Sequence, residues 1–146
     1  MTTITKRYSE IPFAHRAHRD PGHCSRIHGH SWTFEFTWAG EPDERGWVLD
    51  FGALGWLRDY INANFDHACL FNADDPALSF LLAEFGTLFK PLVMPSCSSE
   101  GIARYLYEAV SKLCVRQGII ARLLTVTVRE DSKNSATYTP IPTPDL

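Results

Sequence analysis

The feature that most constrains the fold is a long alternating run that follows two closely spaced histidines. Four aromatic residues alternate with polar residues along it: Trp32, Phe34, Phe36 and Trp38. Period-two alternation predicts a β-strand, here over roughly 28–39, with one apolar and one polar face. Such a face needs helices packed against it. The run therefore predicts an α+β domain with an antiparallel sheet and helices on one face.

The histidine pair at the start of this strand predicts a metal site. The side chains of His28 and His30 leave the same face of the strand and offer two imidazoles to one ion. Open catalytic zinc sites use three protein ligands and leave a fourth position for water or substrate. The best candidate for the third ligand is His15, at the end of an earlier strand over roughly 3–14. A hairpin-like return would bring the three imidazoles together.

Cys24 lies between the two strands and has two interpretations. It is either a reactive thiol beside the metal or a fourth ligand, which would make the site structural. His18 and His23 lie in the same connection, which is rich in charge. They are interpreted as loop histidines that face solvent or substrate.

Two further clusters are weaker. The Asp66-His67 dipeptide follows a predicted helix and is either a general acid–base pair or a surface turn. Glu130 ends a predicted strand and, taken alone, reads as an exposed charge.

The remaining pattern predicts two long helices, a short helix and additional strands. The first long helix is capped by Asp50 and ends before Asp66, and the second runs from a Ser98 or Ser99 cap to Gly118. The first is expected to bury Phe51, Leu54, Leu57, Ile61 and Phe65. The second is expected to bury Ile102, Leu106, Ala109, Val110 and Leu113. The other predicted elements are a short helix over 77–85, an edge strand over 88–94 and strands over 123–130 and 135–139.

Length and composition indicate one domain over residues 1–146, with a proline-rich tail over 139–146. The formal net charge of −3 gives no sign of a nucleic-acid partner. No apolar stretch is long enough to span a membrane, and the N-terminus lacks a signal-peptide core. The four cysteines show no CxxC spacing. We therefore expect reduced thiols and a cytoplasmic location.

Taken in order, these clusters resemble one family over about residues 8–138. The chain is similar to the 6-pyruvoyl-tetrahydropterin synthase and 6-carboxytetrahydropterin synthase family. The most specific segments are Cys24-x-x-x-His28-Gly29-His30 and Asp66-His67-x-x-Leu70. The resemblance implies the T-fold (tunnelling fold), in which sheets of several subunits join into a barrel. It also implies a homohexamer with active sites at subunit boundaries, so Glu130 and the zinc site are expected from different or abutting subunits.

Carried over by position, the resemblance implies roles for nine residues. The Zn²⁺ ligands are His15, His28 and His30. The proton-transfer groups are Cys24 and His67, the latter backed by Asp66. The pterin contacts are Glu130, as a catalytic anchor, with Ser98 and Ser99 as secondary contacts.

The implied activity is that of a zinc-dependent lyase acting on a small pterin, with no membrane partner. It would convert 7,8-dihydroneopterin triphosphate to 6-carboxy-5,6,7,8-tetrahydropterin, release acetaldehyde and triphosphate, and serve queuosine biosynthesis. One alternative is 6-pyruvoyl-tetrahydropterin synthase, which eliminates triphosphate. Another is a non-catalytic, zinc-stabilised oligomer. Members that cleave the side chain for folate synthesis often carry Glu at the position of Cys24, which argues against that activity.

The sequence departs from the family pattern at several positions. Ser98 and Ser99 replace a threonine-rich turn, and Gly101 replaces a frequent Asn. The segment 72–97 is longer than in compact bacterial members and is expected to rebuild a pocket wall or a subunit contact. The candidates for holding the triphosphate are Lys133, Arg16, Arg19 and Arg26.

Overall fold

A computed structural model describes residues 1–141 of the chain; the last residues of the predicted proline-rich tail lie outside the described part. The described residues form one six-stranded sheet, in the order β4-β3-β1-β2-β5-β6, and three α-helices. The strands are β1 (Thr2–His15), β2 (His28–Gly40), β3 (Cys69–Asn72), β4 (Pro91–Met94), β5 (Arg122–Arg129) and β6 (Ser135–Tyr138). The helices are α1 (Gly55–Asn64), α2 (Leu78–Phe85) and α3 (Ser99–Arg116).

The core lies between the aromatic face of β2 and the helices, as the alternation predicted. The four aromatic side chains of that face are fully buried. Leu57 of α1 and Leu106 of α3 are also fully buried in the same cluster. Each such side chain contributes roughly 1.5–3 kcal/mol when it leaves water. The α+β class is therefore confirmed.

The sheet is mixed rather than purely antiparallel as expected. The difference comes from β3, a strand that the sequence did not predict. It pairs in parallel with β1 at Ala14 and His15 and in parallel with β4 along its whole length. Its apolar run of three buried residues is too short to show a period. The edge position expected around Pro91 is confirmed, since β4 is the last strand of the sheet.

The helices differ from prediction mainly in their first turns. Asp50 does cap, by accepting the backbone N–H of Gly52 at 2.8 Å, but it caps a 3₁₀ turn over Phe51–Leu54. A 3₁₀ helix has three residues per turn instead of about 3.6, so its first side chains point in directions other than those an α-helix would give them. Phe51 therefore remains 48% exposed. In α3 the fully buried positions include Ala103 and Cys114 rather than Ala109 and Leu113, which are half-buried. None of the helices in the described range has the length and apolarity to span a membrane.

The long β1–β2 ladder contains one β-bulge. Tyr8 pairs with Phe34 and Ile11 pairs with Trp32, so β1 has one residue more than β2 over this interval. Glu10 lies inside the bulge with a φ of 58°, in the left-handed region that non-glycine residues seldom occupy.

Candidate metal centre and active site

Three predicted histidines come together at one end of the β1–β2 ladder. His15 and His28 are direct partners across the two strands, and His30 is two residues further along β2. Their ring centroids are 4.7 Å apart for His15 and His28, 5.0 Å for His28 and His30, and 5.4 Å for His15 and His30. The strand register therefore creates the cluster.

Backbone carbonyls orient two of the rings. Nδ1 of His15 lies 2.7 Å from the carbonyl oxygen of Cys97, and Nδ1 of His28 lies 2.7 Å from that of Arg26. A carbonyl can only accept, so in each case Nδ1 carries the proton and Nε2 keeps its lone pair. Burial lowers the pKa of His15, which favours the neutral form that binds metals.

A carboxylate completes the group. Oε1 of Glu130, the residue directly after β5, lies 2.9 Å from Nε2 of His30 and 3.5 Å from Nε2 of His15. These approaches lack hydrogen-bond alignment, and both Nε2 atoms are buried without a hydrogen-bond partner. Buried polar atoms without partners are rare and point to a ligand. The expectation that Glu130 and the histidines come from different or abutting subunits is therefore wrong, because one chain supplies both.

The donor set fits a transition-metal ion. The donor atoms of His15, His28, His30 and Glu130 all lie within 4.8 Å of one another. Imidazoles with one carboxylate are typical ligands of zinc and of related divalent ions. Cys24 lies outside this group of donors, so the interpretation of Cys24 as a fourth ligand finds no support in the described structure.

A cavity of about 460 Å³ opens beside His15. Its wall includes five of the predicted site residues: His15, Cys24, Ser98, Ser99 and Glu130. A larger cavity of about 580 Å³, beside α3 and β6, contains none of the three histidines, so size alone does not locate the site. The Ser98 hydroxyl accepts the Gly101 N–H at 3.1 Å and caps α3, which leaves Ser99 as the freer hydroxyl on the wall.

The Asp66-His67 pair lies elsewhere on the surface. Oδ1 of Asp66 is 3.0 Å from Nδ1 of His67, so the two side chains do interact, as expected of an acid–base pair. The His67 side chain is nevertheless 78% exposed and does not line the cavity. Its φ of 57° places it in a left-handed turn just after α1, where its N–H donates to the carbonyl of Pro12. Both sequence interpretations, acid–base pair and surface turn, therefore describe part of its geometry.

Two of the four basic candidates for the triphosphate are already engaged. The guanidinium of Arg16 is bound to Asp75, and that of Arg19 is bound to Asp74. Lys133 lines the cavity beside Asn134.

The sequence did not predict two groups that contact residues of the site. One is the backbone carbonyl of Cys97, which contacts His15, and the other is the carboxylate of Asp75, which binds Arg16. A backbone carbonyl carries no sequence signal. Asp75 lies in a predicted turn, where an aspartate is ordinary.

The fold and the candidate metal centre together define a class of protein. This is an α+β domain whose strand ends form a three-histidine, one-carboxylate group able to bind a metal, beside a cavity that contains a thiol.

Comparisons identify the family within that class. A sequence profile described as 6-pyruvoyl tetrahydropterin synthase matches residues 3–140. The chain is 41% identical to the 6-carboxy-5,6,7,8-tetrahydropterin synthase of Rickettsia typhi over 113 residues, which span 73% of this chain and 82% of that protein. The chain thus belongs to the 6-pyruvoyl tetrahydropterin synthase family and is a lyase-type enzyme.

Solved structures confirm the T-fold subunit. An uncharacterised protein from Wolinella succinogenes superposes with a TM-score of 0.82 at 21% identity, covering 94% of this chain and 97% of that chain. The 6-pyruvoyl tetrahydropterin synthase of Caenorhabditis elegans superposes with a TM-score of 0.64 at 24% identity, covering 97% and 98%. At these identities the likeness concerns the fold alone.

Proposed function

We propose that the chain is a zinc-dependent 6-carboxy-5,6,7,8-tetrahydropterin synthase. It would convert 7,8-dihydroneopterin triphosphate to 6-carboxytetrahydropterin, with release of acetaldehyde and triphosphate, on the route to queuosine. The observation that carries the proposal is the cluster of His15, His28 and His30, of which His15 shares a cavity wall with the Cys24 thiol. The cavity volume of about 460 Å³ lies in the range of small-molecule sites.

The name of the Rickettsia typhi relative favours the 6-carboxy product over the 6-pyruvoyl product. That relative shares 41% of aligned residues with this chain, whereas the Caenorhabditis elegans protein shares 24%. By the resemblance of the sequence to the family, Cys24 occupies the position at which the folate-type members often have Glu.

A zinc ion held by the three histidines would supply Lewis acidity toward substrate oxygens. The chain's own groups then divide the remaining work. Cys24, partly exposed on the cavity wall, accepts a proton from the substrate side chain. Glu130 accepts paired hydrogen bonds from the guanidine-like edge of the pterin, with Ser99 beside it. Within the described residues the carboxylate of Glu130 accepts no hydrogen bond, so this side chain is free to turn toward a ligand.

The Asp66-His67 pair is proposed to act in the cavity of a neighbouring subunit. Its 78% exposure and its absence from the chain's own cavity support this placement. The sheet also offers edges for assembly: within the described residues β1 pairs with β3 only at Ala14 and His15, which leaves most of that side of β1 open, and β6 is a terminal strand. Pairing of these edges between subunits would close the barrel and form a homohexamer.

The decisive experiment is to incubate the zinc-loaded protein with 7,8-dihydroneopterin triphosphate and identify the products by mass. We expect 6-carboxytetrahydropterin and one equivalent of acetaldehyde. A 6-pyruvoyl product without acetaldehyde would favour the sister reaction. Bound zinc with no conversion would favour the non-catalytic oligomer.

Subunit sharing has a separate test. The Cys24→Ala and His67→Asn variants are each expected to be inactive, and Asn is chosen because it tolerates the left-handed turn. Dissociating, mixing and reassembling the two variants should restore part of the activity, since some cavities would receive both intact groups. An active monomer by light scattering, or mixed assemblies without activity, would contradict this placement.

A further inference from the structure

The loop that carries Cys24 has no hydrophobic anchor. It comprises residues 16–27, between β1 and β2, and none of these residues is buried. Within it Cys24 lies on a 3₁₀ turn of three residues, His23–Ser25. A loop with no buried residue takes its conformation mainly from polar contacts, so these determine where the thiol lies.

Arg16 makes the contacts at the base of this loop. Its Nη1 donates to the carbonyl of Ser25 at 3.0 Å, one residue beyond the thiol. Next to it, the N–H of Ala17 donates to the carbonyl of Cys24 itself at 2.8 Å. The two ends of the loop are thereby joined at the residues that carry the thiol.

Asp75 fixes Arg16 in turn. Nε and Nη2 of Arg16 donate to the two carboxylate oxygens of Asp75 at 2.5 and 2.7 Å, in a bidentate arrangement. The Asp75 side chain is fully buried, and it also accepts the N–H of Ala77 at 2.9 Å. Bidentate, charge-assisted pairs restrict orientation more strongly than single hydrogen bonds.

Asp75 belongs to the turn between β3 and α2, in the segment 72–97. We infer that the Arg16–Asp75 pair is a positioning pair, which holds the Cys24 turn over the histidine cluster. This inference rests on the proposed function, in which Cys24 accepts a proton. It also assigns a task to the segment 72–97, which supplies the fixed wall that the loop docks on.

A neighbouring ion pair provides a matched control. Arg19 and Asp74 also join the loop to the same turn, but their side chains are 71% and 54% exposed. Exposed ion pairs contribute little to stability and restrict the orientation of their side chains little. Asp74→Asn and Asp75→Asn therefore remove the same charge from adjacent residues, and only the second should disturb the thiol.

The test compares these two variants as zinc-loaded, full-length proteins. For Asp75→Asn we expect kcat to fall on the order of 100-fold, the loss associated with misplacing a reacting group by about 1 Å. KM and zinc content should stay close to those of the wild type. Hydrogen–deuterium exchange of residues 16–27 should accelerate in Asp75→Asn but not in Asp74→Asn. If Asp75→Asn folds poorly, Arg16→Lys is measured in the same way. Lysine keeps the positive charge but loses the paired N–H donors that make the bidentate contact with Asp75.

Several outcomes would overturn the inference. One is an unchanged kcat in Asp75→Asn, and another is unchanged exchange in residues 16–27. A raised KM would instead indicate that Arg16 binds the triphosphate. A kcat that falls only as far as the folded fraction falls would indicate a purely structural pair. A wild type without turnover would refute the proposed function alone, because the exchange comparison still decides whether the pair holds the loop.

Discussion

The histidine cluster and the Cys24 loop lie side by side but are built in opposite ways. The histidines are fixed by strand register, by a 2.7 Å contact with a backbone carbonyl at both His15 and His28, and by the aromatic core beneath them. The thiol is placed by a loop with no buried residue. Changes in the loop should therefore affect proton transfer more than metal binding, because the loop contributes only the Arg26 carbonyl to the contacts that orient His15 and His28.

The largest effect is expected from removing a histidine of the cluster. His28→Ala should lose both bound zinc and turnover, because only two imidazoles would remain. His23→Ala is the control, since His23 is exposed on the loop and outside the group of donors. Metal analysis after gel filtration measures the effect. Full metal occupancy in His28→Ala, or loss of metal in His23→Ala, would show that the ligand set is wrong.

Cys24→Ala should separate the two regions. Turnover should fall by roughly 10²–10⁴-fold, the usual contribution of one acid–base group. Zinc content and thermal stability should be preserved, because the thiol is neither a donor of the cluster nor part of the core. Steady-state kinetics and metal analysis on the same preparation make the comparison. Near-normal turnover would leave the metal centre as the sole catalytic element.

Glu130→Gln tests the residue that touches both the cluster and the cavity. An amide replaces a charged double acceptor with one acceptor and one misplaced donor, so pterin affinity should fall about 10- to 100-fold. Isothermal titration with a non-reactive pterin measures this loss. If zinc content falls and pterin affinity does not, Glu130 serves the metal rather than the substrate.

The smallest effect is expected behind the cluster, at Gly101 in the first turn of α3. A Cβ there would lie 2.1 Å from the carbonyl oxygen of Ser96, which immediately precedes the residue that orients His15. Gly101→Ala should cost about 1–3 kcal/mol of unfolding free energy through this overlap. Gly86→Ala is the control, because nothing lies within 4 Å of its Cβ. Denaturant melts compare the two, and equal stability in both would contradict the close approach.

The same contrast explains what the sequence could predict. The alternation of apolar and polar residues predicted β1 and β2, and it predicted that His28 and His30 share a face, because the geometry of a strand fixes which side chains share a face. It did not predict β3 or the approach of Glu130 to His30. Those depend on which strands become neighbours, and a short run carries no record of its partners. The Arg16–Asp75 pair joins residues 59 positions apart, so no local pattern reveals it.

The β-bulge near Glu10 has a consequence for how this chain tolerates change in length. Before the bulge, residues with even numbers in β1 face the core, as Tyr8 does. After it, residues with odd numbers do so, including Ile11 and His15. Deleting one residue at the bulge would restore a regular ladder and leave His15 on the core face opposite His28, because Tyr8 and Ile11 would then be two positions apart. A deletion between the bulge and His15 would instead turn the third imidazole of the centre to the polar face, so the same change in length has opposite outcomes a few residues apart.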